Sequence, residues 1–194
     1  MSVVCAVLKG KTAAICSDTL NHFGSIQASA KHLKNASKLH KVNDSIMGVV
    51  GWNAITSILE HLIEHEPELF RLNNRDEIFS SMLKIHPMLK SSYFIETREE
   101  EDQPVESSQL DALLINPQGL FEIGSYKEVN EYNRFWAIGS GRHFALGAMD
   151  ALYESDADAR HIVEAGVKAA CEFDDGCGLP LETRTLELVP LNRS

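Results

Sequence analysis

The hydrophobic period of this 194-residue chain switches back and forth, and that order limits its architecture more than any single motif does. Short apolar runs bounded by turn residues dominate the first part. They cover 2–8 and 12–18 around the turn 9–11, then 38–42 and 45–50 around Asn43 and Asp44. Two such runs joined by a tight turn read as a hairpin. From Asn53 the period becomes helical, with Ile55, Ile58, Leu59, Leu62 and Ile63 on one stripe. Pro67 ends or interrupts that helix. Asp76 is a candidate cap for a second helix through Ile78, Phe79, Met82, Leu83 and Ile85, which Pro87 kinks or ends.

Strands return at 110–116, 120–125 and 135–141. Two more helices follow. Phe144, Leu146, Ala148, Leu152 and Tyr153 mark the first. Ala159, Ile162, Val163, Gly166, Val167 and Ala170 mark the second, with Asp156 or Asp158 near its start. A strand at 183–189 closes the pattern. Residues 19–37 read as loop holding at most a short strand, and the acidic stretch 96–109 as an exposed loop.

Hairpin-linked strands argue for antiparallel sheets, and each helix pair must cover a sheet face. Two antiparallel sheets stacked face to face, with a helical layer outside each, satisfy every element. The expected class is therefore α+β, in four layers. No internal boundary or repeat interrupts residues 1–194, which read as one domain with a full core.

A formal net charge of −10 counts against a nucleic-acid or anionic-membrane partner. No apolar run approaches the roughly 18 residues of a membrane span. The run Val3 to Leu8 lacks a preceding basic region and is too short for a secretory signal. Cys5 and Cys16 lie in strand-like runs as small buried hydrophobes, and no pair among Cys5, Cys16, Cys171 and Cys177 has zinc-ligand spacing. A reduced, cytoplasmic protein is the simplest reading.

Removal of Met1 before a small residue leaves Ser2 with a free α-amine and a hydroxyl. An α-amine titrates near 7.7–8.0 and can take the hydroxyl proton, so one residue can be both nucleophile and base. Asp18 ends the second strand, and the first hairpin folds it back toward the start of the first. Lys38 begins the third strand; such end residues are usually solvated or paired for structure. A lysine held by a carboxylate and set against a hydroxyl also favours the alkoxide. Gly51 leaves a strand for a helix, where an N–H can face a developing oxyanion, or where the turn simply needs glycine. His61 and His65 are spaced i, i+4 but have no HExxH context and no third ligand, so they read as a helix surface.

The segments SVVCAV (2–7), KTAAICSD (11–18), SKLHKVNDSIMGVVG (37–51) and FWAIGSG (135–141), the last followed by an alanine-rich helix, occur in a telling order. Together they resemble a proteasome β-type subunit, closest to the bacterial heat-shock-locus peptidase HslV, an N-terminal nucleophile (Ntn) hydrolase. The resemblance runs from Ser2 to about Leu188, and the family's αββα sandwich matches the element order read above. It implies that Ser2 stands where the family has its threonine nucleophile. It also implies Asp18 and Lys38 as the supporting pair, with Lys34 a competing assignment for the lysine, Gly51 as the oxyanion glycine and Ser140 beside the N-terminal amine. The family's D-x-x-S-G loop is similar to DDGCG, with Asp174 in place and Cys177 replacing the serine. A related loop in the heat-shock peptidase implies a structural sodium or other monovalent ion on the carbonyls of Asp174, Cys177 and Pro180. No cofactor is required for catalysis.

The expected activity is peptide-bond hydrolysis by Ser2 after Met1 leaves, within a homo-oligomeric ring fed by an ATP-dependent unfoldase. A retained Met1 would block the amine. The alternatives are a catalytically inactive ring subunit and a small-molecule amidase of the same fold. Serine also lacks the methyl group that restricts χ1 in threonine.

Overall fold

The computed structural model describes residues 2–189. Within them the strands are β1 (Val3–Lys9), β2 (Thr12–Asp18), β3 (Asn21–Phe23), β4 (Ile26–Ala28), β5 (Leu39–Val42) and β6 (Ser45–Val50), then β7 (Asp111–Asn116), β8 (Gly119–Ile123), β9 (Val129–Tyr132), β10 (Phe135–Gly139) and β11 (Leu181–Glu187). The helices are α1 (Asn53–His65) and α2 (Arg75–Ser91) between β6 and β7, and α3 (Arg142–Tyr153) and α4 (Ala159–Phe173) between β10 and β11.

Two antiparallel sheets carry the fold. One has the order β10-β1-β2-β11 and the other β5-β6-β7-β8-β9. Successive residues of a strand point to opposite faces, and β1 shows the consequence. Val4 and Ala6, with Ala13 and Ile15 of β2, pack against Leu39, Leu113, Ile115 and Leu120 of the other sheet. Val3, Cys5 and Val7 face Met149, Ile162, Val163 and Val167 of α3 and α4. Both faces are covered, which is why residues 3–7 are apolar throughout and fully buried. On the far side, Met47, Leu114 and Phe121 meet Leu59 and Leu62 of α1 and Ile78 and Met82 of α2. The layers are α1/α2, sheet, sheet, α3/α4, as the element order required.

Several local expectations shift. Residues 21–28 form a separate two-stranded hairpin, two short strands where the sequence suggested loop with one. β9 carries no sequence signal because only Val129 of its four residues is buried, on a sheet edge. Asn74, not Asp76, caps α2 by accepting from Glu77 N at 3.0 Å, and Asp158 caps α4 by accepting from His161 N at 2.7 Å. Pro87 does not end α2, which continues to Ser91. An interior proline costs about 3 kcal/mol. Burial of Leu89 beyond it, with Met88 packed on the same core, offsets much of that at roughly 2 kcal/mol per large side chain.

Candidate active site

The first hairpin sets the end of β2 beside the start of β1, and Asp18 is the hinge of what forms there. Its carboxylate is fully buried and accepts four hydrogen bonds. Oδ1 accepts from Val3 N at 3.0 Å and Lys38 Nζ at 2.7 Å; Oδ2 accepts from Leu20 N at 3.1 Å and Gly178 N at 3.2 Å. A buried carboxylate is tolerated only with such partners. Lys38, itself buried, makes the ion pair; Lys34 is exposed and makes none with Asp18.

Ser2 is 5% exposed and sits where β1 meets the end of β10. Its nitrogen donates to Ser140 Oγ at 3.2 Å, and that hydroxyl donates to the Ser2 carbonyl at 3.3 Å. Gly139 has φ +94°, and a Cβ there would lie 2.2 Å from the Ser2 carbonyl oxygen. Only glycine lets β10 pass so close to Ser2. Gly51, at φ +125°, makes the bend between β6 and α1. Ser2, Lys38 and Gly51 line one cleft of about 180 Å³, together with the apolar Phe23, Leu33 and Val49. A second depression of about 550 Å³ shares Ser2, Asn21, Gly51 and Asn53 with it and extends to His22 and Trp52.

Asp174 stands one shell back. Its Oδ1 accepts from Gly176 N at 2.7 Å, and its carbonyl accepts from Cys177 N at 3.1 Å. The Asp174 carboxylate and Cys177 sulfur pack beneath Gly141, next to Ser140. Burial, with the nearby Asp18 and Asp174 carboxylates, pushes the Cys177 thiol up to about 12. Burial likewise raises Cys16 to about 12 and Cys171 to about 11. Such thiols stay protonated near neutrality, and none of the four cysteines lines the cleft beside Ser2.

Among the described residues no cluster of three His, Cys, Asp or Glu side chains could hold a metal. Two of the three carbonyls named for a monovalent ion already accept a hydrogen bond: Asp174 O from Cys177 N at 3.1 Å and Pro180 O from Thr19 Oγ1 at 2.6 Å. An ion there would have to share those two. Met1 lies outside the described residues.

Reading the sequence singled out Ser2, Asp18, Lys38, Gly51 and Ser140, which the fold gathers around one point. It overlooked the cleft wall, above all Asn21, Asn53 and Thr56. Asn53 had a signal, since it opens α1 directly after the Gly51 bend. Asn21 had none, because its place depends on the unexpected β3–β4 hairpin.

A family model described as proteasome subunit matches residues 2–180. No curated protein matches the chain. Among solved structures, Thiobacillus denitrificans BPH is 34% identical and superimposes with a TM-score of 0.91, covering 97% of this chain and 99% of that one. The same protein in complex with epoxomicin gives 34% identity and a TM-score of 0.88 over 97% and 100% of the two chains. A eukaryotic HslV from Trypanosoma brucei shares the fold, with a TM-score of 0.70 at 20% identity over 95% of this chain and 99% of that one.

Proposed function

The chain belongs to the proteasome subunit family, and on that premise we propose that it is a peptidase whose nucleophile is Ser2, exposed by loss of Met1. Ser2 Oγ attacks the peptide carbonyl while the Ser2 α-amine takes its proton, directly or through a water. The Gly51 N–H stabilises the oxyanion of the tetrahedral intermediate. The amine then protonates the leaving nitrogen. Water, activated by the same amine, hydrolyses the acyl ester and restores the hydroxyl. The Lys38 ammonium favours the alkoxide electrostatically. Ser140 orients the amine, and Asp174 acts through the loop beneath Gly141. No step of this scheme uses a metal ion.

One observation carries this reading. A single oxygen, Asp18 Oδ1, holds both the N–H of Val3 and the Lys38 ammonium, so the lysine is anchored to the residue that follows Ser2. Both Ser2 and Lys38 line the same cleft.

The family also supports a homo-oligomeric ring, an ATP-dependent unfoldase as feeder and a cytoplasmic location. No helix among the described residues is long and apolar enough to cross a membrane. Trp52 and Phe94 are 75% and 85% exposed, and apolar surface of that kind is commonly covered by another chain.

The test is hydrolysis of unstructured peptides by the parent protein and by Ser2→Ala. Epoxomicin, bound by the Thiobacillus protein, is the probe for Ser2. Hydrolysis and labelling that both vanish in the variant support the reading. Activity that survives Ser2→Ala refutes it. Retention of Met1 without labelling would make the chain an inactive ring subunit instead.

A further inference from the structure

The last turns of α1 hold two imidazoles in contact, where the i, i+4 spacing alone reads as a helix surface. His61 and His65 are both exposed, and their rings stack with centroids 4.1 Å apart and an interplanar angle of 22°. His65 Nδ1 donates to the His61 carbonyl at 2.9 Å. A carbonyl can only accept, so the proton sits on Nδ1 and Nε2 of the neutral ring keeps its lone pair. A backbone carbonyl fixes the tautomer of many metal-binding histidines in this way. The His61 ring meets Tyr93 edge-on at 6.0 Å, and its nitrogens have no hydrogen-bond partner among the described residues.

The surroundings favour a cation. His65 lies in the last turn, at the negative end of the helix dipole. α1 carries Glu60 and Glu64 but no lysine or arginine, and Glu66 and Glu68 follow directly. Such a field gathers cations without itself supplying ligands. Two nitrogens that share one metal at about 2.0–2.1 Å each lie no more than about 4 Å apart. Rings stacked at 4.1 Å meet that span with small side-chain rotations. Imidazole nitrogen suits nickel, copper and zinc, whereas magnesium and calcium take oxygen ligands. The pair is also separate from the cleft. Asn53, where α1 begins, lines the cleft, and at about 1.5 Å per residue the histidines lie about 12–18 Å farther along the helix.

We infer that His61 and His65 form a surface site for one late first-row divalent metal ion, with water completing its coordination. The site is a two-imidazole clamp open to solvent, and it does not depend on the peptidase reading. The bound ion joins successive turns of α1 and so stabilises the C-terminal end of that helix.

The test is calorimetric titration of the untagged full chain with Ni2+, Zn2+ and Mg2+, beside the variants His61→Gln and His65→Gln. Both substitutions fall on exposed helical positions and introduce a good helix former, so the variants should fold, and their metal-free Tm checks this. The parent is expected to bind Ni2+ and Zn2+ at least roughly tenfold more tightly than Mg2+. Each variant is expected to lose roughly tenfold or more in affinity for Ni2+. Nickel should raise the Tm of the parent and leave that of the variants unchanged. The two single variants also separate this pair from the other histidines and the four cysteines, which both variants keep. No uptake by the parent, uptake as tight in either variant, or Mg2+ bound as tightly as Ni2+ overturns the inference.

Discussion

Asp18 ties three segments of chain to one carboxylate, and its removal should be felt in both stability and activity. Lys38→Met leaves that buried charge with only its backbone donors. Breaking one partner of a buried pair costs about 3–5 kcal/mol, so chemical denaturation should show a loss of that order, with peptidase activity abolished. An unchanged midpoint would contradict the pairing. Gly139→Ala drives a methyl into the Ser2 carbonyl at a backbone angle that disfavours side chains. It should cost about 2–4 kcal/mol and suppress labelling of Ser2. The cysteines offer a different check. With Cys171 raised to about 11 and Cys16 and Cys177 to about 12, the thiolate fraction at pH 8 is about one in a thousand or less. Alkylation at that pH should be slow in the folded protein and fast after denaturation. Ser2, Asp18 and Lys38 were legible in the sequence only through the resemblance in segment order, since each taken alone reads as an ordinary chain start or strand end; the turn at 9–11 added that Asp18 folds back toward the start of β1. The cleft wall was not, since Asn21 and Asn35 reach it only through tertiary folding.

Among the elements, α2 and β5 make the sharpest predictions. Pro87 is exposed within α2 and denies the helix one hydrogen bond. Pro87→Ala should stabilise by about 2 kcal/mol, or roughly 4–8 °C in Tm; a lowered Tm would show that the ring itself is packed usefully. On β5, burial lowers the His40 pKa below its ordinary 6.5, partly opposed by Glu60 at 3.7 Å and by Glu182. The unfolded chain therefore binds the proton more readily than the folded one. Stability is full above pH 6.5 and falls as pH drops below it. His40→Gln should flatten part of that decline in a series of Tm measurements. The long periodic helices and the hairpins with tight turns were legible because burial and local chemistry agreed. β9 was not, because an edge strand with one buried residue carries no pattern. The length of α2 was misjudged because packing beyond Pro87 overrode the local cost.

At the scale of the molecule, four layers follow from two sheets that are each apolar on both faces. That requirement was readable from the order of periods alone. The packing places Ser2 at the start of β1, beside the Asp18–Lys38 ion pair and a cleft. A ring assembly would turn that cleft toward an enclosed space, and native mass spectrometry should find multiples of the 21.5 kDa subunit. A species of one subunit at all concentrations would contradict it. The central claim is that Ser2 carries both hydroxyl and free amine, and intact mass after incubation with epoxomicin tests it most directly. The account predicts a chain lighter by one methionine that gains a single adduct on Ser2, with no adduct on Ser2→Ala. A chain that keeps Met1 and gains nothing would contradict it.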